Sequence, residues 1–152
     1  MNRYWILIGG ILGSLGVGLG AIGAHAMEGV LADMHGEDLD LIARRLANWK
    51  TAALYQMHHA LAICLVGVLL QFRRSWMLKI AGHLFLAGVI IFSGLLYVLV
   101  LTETRILGAF VPIGGTSLIV GWIFFALGGC CLEPANHPTQ VASLATPEAD
   151  SK

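Results

Sequence analysis

Charge is what this chain has least of. Asp, Glu, Lys and Arg together make up 12% of its 152 residues, about half of the roughly 25% that covers a soluble domain. Much of the surface therefore faces something other than water. Nine basic residues are balanced by nine acidic ones, so no basic face is available for a nucleic acid and no such partner is expected. Cysteine is scarce too. Cys64 lies in an apolar run, and Cys130 and Cys131 are neighbours, which is not a disulfide framework. Catalytic signatures are missing: there is no G-x-S-x-G, no H-E-x-x-H and no acidic pair inside an apolar stretch. Nothing in the pattern supports an enzyme.

What is present is apolar length. Residues are 57% hydrophobic and the mean hydropathy is +0.79. Four stretches, about 4–26, 51–72, 80–101 and 106–132, each exceed the roughly 20 residues that cross a ~30 Å hydrocarbon core. The expected fold is an all-α membrane protein with four antiparallel transmembrane helices. Between the first two lies the connection 27–50, where Leu39, Ile42, Leu46 and Trp49 recur three and four apart. This predicts a short interfacial amphipathic helix. The tail 133–152 holds three of the four prolines and few large apolar residues, so it is expected to be disordered.

Gly18-Leu19-Gly20-Ala21-Ile22-Gly23 spells the dinucleotide fingerprint G-x-G-x-x-G. That fingerprint needs a preceding strand and a following βα pattern; here it sits inside an uninterrupted apolar run. Ala24-His25-Ala26 resembles a signal-peptide cleavage site, but the run is too long and too rich in glycine, and a retained helix is expected. Glycine has another use in lipid, where small residues let helix backbones approach closely. Gly9 and Gly13 are spaced G-x-x-x-G, as are Gly16 and Gly20, while Gly13, Gly16, Gly20 and Gly23 form one stripe. Pro112 with Gly114 and Gly115 is expected to kink the fourth helix onto that stripe.

Four spans place both termini on one side. That side carries Arg3, Arg73, Arg74, Lys79 and Lys152, against Arg44, Arg45, Lys50 and Arg105 on the other. The counts nearly tie, and the compact group at 73–79 places the termini in the cytoplasm. Polar residues inside spans are the main functional pointers, because hydrocarbon penalises them unless partnered. His25, Tyr55, Gln56, His58, His59, Ser93 and Tyr97 all fall in the half of the bilayer away from the termini, with Tyr55 and His59 on one helical face at i, i+4. These residues either lock the bundle by hydrogen bonding to one another or form a pocket for a small polar molecule or ion. No metal site is expected, since the adjacent His58 and His59 point roughly 100° apart on a helix.

GAIGAHAM (20–27), YQMHHALAI (55–63), FSGLLYVL (92–99) and GAFVPIGGTSLIVGW (108–122) together resemble the family called domain of unknown function 423. Its members are small four-helix proteins of bacterial inner membranes, with relatives of the vertebrate transmembrane protein 256 type. The resemblance covers about residues 4–130 and implies fold and location but no activity. Members commonly carry tyrosine where this chain has His58, which moves the functional emphasis to His59. The leading expectation is a structural or accessory subunit that packs with other membrane proteins or itself. The alternatives are a small-molecule or ion carrier built on the polar cluster, and a haem- or quinone-linked redox component using His25 with His58 or His59. No cofactor is required by the leading reading.

Overall fold

The computed structural model describes residues 3–36, 38–72, 74–102 and 104–130. These form α1 (Arg3–His25), α2 (Met27–His35), α3 (Leu39–Phe72), α4 (Trp76–Thr102), a 3₁₀ turn (Arg105–Ala109) and α5 (Val111–Cys130). There is no strand among them. Four helical segments are long and apolar enough to cross a bilayer: Arg3–His25, Leu39–Phe72, Trp76–Thr102 and Ile106–Cys130. The expected tail 133–152 and the end of the fourth expected span lie outside the described residues.

α1 packs on α3, α3 on α4 and α4 on α5, so α3 and α4 form the middle of the body. Contacts ascend along one helix as they descend along the next. Gly9 lies against Ala60 and Cys64, Gly16 against Gln56 and Met57, and Gly23 against Trp49. The same holds for α4 and α5, where Gly114 meets Phe92, Gly121 meets Phe85 and Gly128 meets Leu78.

The connection between the first two spans differs from the sequence reading. Residues 39–50 are helical, but they continue without a break into the second span, giving one helix of 34 residues. At 1.5 Å per residue it is ~51 Å long, well beyond a ~30 Å hydrocarbon core. Lys50 marks a change of surroundings and not a helix end, because no glycine or proline stands between residues 39 and 66. The separate short helix is α2 instead. It closes at Gly36, whose φ of 63° with ψ of −127° is open to glycine and strained for residues that carry a Cβ. Its N–H bonds the Ala32 carbonyl at 2.8 Å. Asp38 then caps α3, its Oδ1 accepting the Leu41 N–H at 3.0 Å. Met27 and Leu31 of α2 are buried with Ile42, Trp49 and Val100, which pins α2 beside the start of α3.

At the other end, Trp5 is the keystone of the larger core, 1% exposed and packed with Ile63, Val66, Leu70, Leu78 and Phe85. Two glycines make its seat. A Cβ on Gly82 would stand 2.9 Å from Trp5 Cη2, and one on Gly67 2.9 Å from Trp5 Cβ.

The expected stripe of glycines resolves into a different repeat. Gly9, Gly16 and Gly23 are the buried glycines of α1, and they are seven apart. Gly13 makes only ordinary contact with Ala60, and Gly20 has open space where a Cβ would stand. α5 repeats the device with Gly114, Gly121 and Gly128, also buried and seven apart. A small residue at every seventh position is the spacing of a left-handed helix crossing. Gly115 is in ordinary contact with the Phe92 ring. Pro112 does not interrupt a helix: it is the second residue of α5, where a missing N–H costs nothing.

These seats predict opposite signs for two alanine substitutions. In Gly9→Ala the new Cβ meets the Ala60 carbonyl at 2.7 Å and the Cys64 N at 2.9 Å, both backbone atoms that cannot turn away. The expected loss is about 1–3 kcal/mol. Gly94→Ala enters open space and should be neutral or stabilising by about 0.5–1 kcal/mol. Unfolding by denaturing detergent in mixed micelles measures both, and equal effects would refute the seating.

Candidate functional site

The middle of α3 turns its polar residues inward. Gln56 and His59 are buried, as is Ser93 of α4. They fall into two knots. In the first, Trp49 Nε1–H donates to the Leu19 carbonyl at 2.8 Å. One heptad on, Gln56 Nε2–H donates to the Leu12 carbonyl at 2.9 Å. Tyr97 Oη–H donates to Gln56 Oε1 at 3.1 Å, and its ring meets Trp49 edge-on at 4.7 Å. Three helices are thus joined through one amide.

The second knot surrounds His59. Trp122 of α5 donates its indole N–H to His59 Nε2 at 3.2 Å. An indole nitrogen is a donor only, so Nε2 carries no proton. Nδ1, 2.7 Å from the Tyr55 carbonyl, must then hold the hydrogen and donate it. The two partners together fix His59 as the neutral Nδ1–H tautomer; an imidazolium would face the indole donor with a second donor. Tyr55 stacks on the imidazole at 6.0 Å and packs on Phe92 at 4.7 Å, while Phe85 closes the other side at 5.5 Å.

The backbone acceptors of interhelical bonds within the body share a property. Leu12 and Leu19 stand four residues before Gly16 and Gly23. Ser117 Oγ–H donates at 2.9 Å to the carbonyl of Leu84, four before Gly88. The longer contact from Cys64 Sγ, 3.7 Å, goes to the Ile6 carbonyl, four before Gly10. In an α-helix a carbonyl points along the axis toward residue i+4, whose side chain leans back over it. With glycine there, the oxygen is uncovered on one side and can accept a second bond from a neighbouring helix. At the outer end of α4 the carbonyls are orphaned by helix termination instead. Arg45 Nη1 donates to those of Val100 at 2.7 Å and Leu99 at 3.3 Å, with a cation where the helix dipole favours one.

Of the expected cluster, Gln56 and Tyr97 are joined directly, and Tyr55 and His59 are joined through a backbone carbonyl and ring stacking. Ser93 lies one turn from Tyr97 on α4, and its Oγ has no hydrogen-bond partner. His25 and His58 are exposed and take no part. Ligation of an iron through His59 Nε2 would displace the Trp122 indole N–H and keep the Tyr55 bond. Among the described residues no group of three or more His, Cys, Asp or Glu side chains converges. Trp49, Trp122 and Arg45 are the members that sequence reasoning missed. The seven-residue step from Trp49 to Gln56, matching that from Gly23 to Gly16, is the signal that would have found the first.

Replacing Trp122 by phenylalanine removes the donor and keeps the ring. Imidazole nitrogen chemical shifts should show a single Nδ1–H tautomer at His59 in the parent protein and a mixture in Trp122→Phe. A mixture in both would show that Trp122 does not set the tautomer. Gln56→Leu leaves the Tyr97 hydroxyl without its acceptor and should cost about 1–3 kcal/mol, read by the same micellar unfolding.

The model of a family described as protein of unknown function (DUF423) matches residues 19–115. A UPF0382 membrane protein of Staphylococcus aureus is 38% identical over 128 residues, covering 82% of this chain and 93% of its own. The UPF0382 membrane protein YwdK of Bacillus subtilis is 37% identical over 126 residues, covering 82% and 94%. No solved structure matches. With four helices able to span a bilayer and relatives named as membrane proteins across almost their whole length, the chain belongs to the DUF423 family of membrane proteins.

Proposed function

We propose that this protein is a non-enzymatic packing subunit of the bacterial inner membrane, which associates through the outer face of α1 with another membrane helix, from a different protein or a second copy. The observation that carries this reading is the composition of that face. Gly10, Ser14, Gly18 and Ala21 are exposed and follow one another three or four apart, on the side of the helix opposite Gly9, Gly16 and Gly23. Among the described residues, no atom beyond the adjoining backbone of α1 stands within 4 Å of where a Cβ on Gly10 or Gly18 would be. Glycine inside a helix costs about 1 kcal/mol relative to alanine, and lipid tails offer no compensation. Close approach of a second backbone does.

The polar knots support the same reading. Apart from Ser93 Oγ, the buried polar groups of the expected cluster are bonded within the chain, which leaves a carrier little to work with. The membrane side of the termini follows the basic group at 73–79 and is part of the proposal.

The test is association in bilayers, read by energy transfer between labelled copies and by native mass spectrometry of protein taken gently from its own membrane. Gly18→Leu with Ala21→Leu should abolish the complex, whichever partner it contains, and leave the single chain at least as stable to unfolding. A complex that survives both substitutions refutes the reading.

A further inference from the structure

At the end of the body away from the termini lies a cleft that none of the interactions above fills. Leu41, Arg44, Arg45 and Asn48 of α3 line it together with Leu99 of α4, and its volume is about 310 Å3. That is the lower end of the range for ligand clefts, ~300–1,000 Å3.

We propose that this cleft binds the phosphate of an anionic phospholipid headgroup. Its level comes first. Arg45 reaches the last carbonyls of α4, and Trp49 and Tyr97 pack together about one turn deeper. Aromatic side chains of this kind mark the boundary between hydrocarbon and headgroups. The cleft therefore stands at the depth of lipid phosphodiesters.

Its chemistry comes second. Guanidinium groups present a planar fork of donors that matches phosphate oxygens. Arg44 is held by its Nε, which donates to the Asp40 carbonyl at 3.3 Å; its two terminal nitrogens make no hydrogen bond among the described residues. Arg45 Nη1 is engaged with the last carbonyls of α4 and fixes the wall of the cleft. Asn48, one turn after Arg44, adds an amide donor. The carboxylate of Asp38 is committed to the α3 cap and does not line the cleft. No acidic side chain is among the residues that line the cleft, so nothing there holds the cation of a zwitterionic headgroup, and a net-anionic one is favoured. Leu41 and Leu99 flank the polar floor, where a glycerol backbone and the first methylenes gain contact and a free anion gains none.

The inference is independent of the α1 face and is tested without it. Full-length protein in a non-ionic detergent is offered phosphatidylglycerol, phosphatidylcholine or inorganic phosphate, and retained adducts are read by native mass spectrometry. Phosphatidylglycerol should survive activation that strips phosphatidylcholine. Arg44→Gln and Asn48→Ala should each weaken its retention by about tenfold, the scale of one hydrogen bond to a charged group. Lys79→Gln, at the opposite end of α4, should leave it unchanged. Micellar unfolding of each variant confirms that the fold is intact. Equal retention of the two lipids overturns the proposal. So does an Arg44→Gln variant that holds phosphatidylglycerol like the parent, or a loss in Lys79→Gln as large as in Arg44→Gln. Displacement of phosphatidylglycerol by inorganic phosphate at equal concentration would identify a free-anion site and overturn the lipid assignment.

Discussion

A backbone carbonyl uncovered by a glycine four residues later is the element on which this structure depends. In water, helices are driven together by burying apolar surface; in hydrocarbon that drive is nearly absent. What remains is contact and hydrogen bonding, and helix backbones ordinarily use all their oxygens internally. Gly16 and Gly23 of α1, which face α3, each solve both problems at once. Each brings the backbones close and exposes an oxygen on the preceding turn. Trp49 and Gln56 of α3 use those oxygens, and Ser117 of α5 uses the matching one on α4.

The division of labour among helices follows. α1 and α5 bring small residues every seven positions against large or polar side chains of α3 and α4, while Gly67, Gly82 and Gly88 of α3 and α4 receive Trp5 and Leu118 in return. Trp49, Gln56 and His59 therefore hold the body together before they do anything else. The two proposed surfaces lie outside this framework, on the exposed face of α1 and in the cleft beside the end of α4.

Much of this was legible in the sequence. The four spans follow from hydropathy and length alone, because a bilayer imposes both. That Gln56 and Tyr97 stand level with each other followed from counting residues along each span. Where reading failed, the reason was physical. Lys50 changes the polarity of the helix surface without affecting its backbone, so the start of α3 was placed too late. The glycines satisfy G-x-x-x-G and seven-residue spacings together, and only the partner helix decides which spacing is used; Gly20 fits the first and packs on nothing. Pro112 looked internal to a span because the 3₁₀ turn before α5 is apolar too. The partners of the polar residues were hidden for a simpler reason. Most are backbone carbonyls, which every residue has and no sequence pattern marks.

The seven-residue repeat of these bonds bears on how the protein meets membranes of different thickness. A helix pair held only by smooth apolar contact can slide by a fraction of a turn to match its surroundings. Here Trp49 and Gln56 grip two carbonyls of α1 one heptad apart, ~10 Å along the axis, and Arg45 grips the end of α4. No intermediate position satisfies these donors together. A thicker or thinner bilayer must therefore be met by tilting the body as one unit or by deforming the lipid around it, and the vertical offsets between its helices are the same in every membrane it enters.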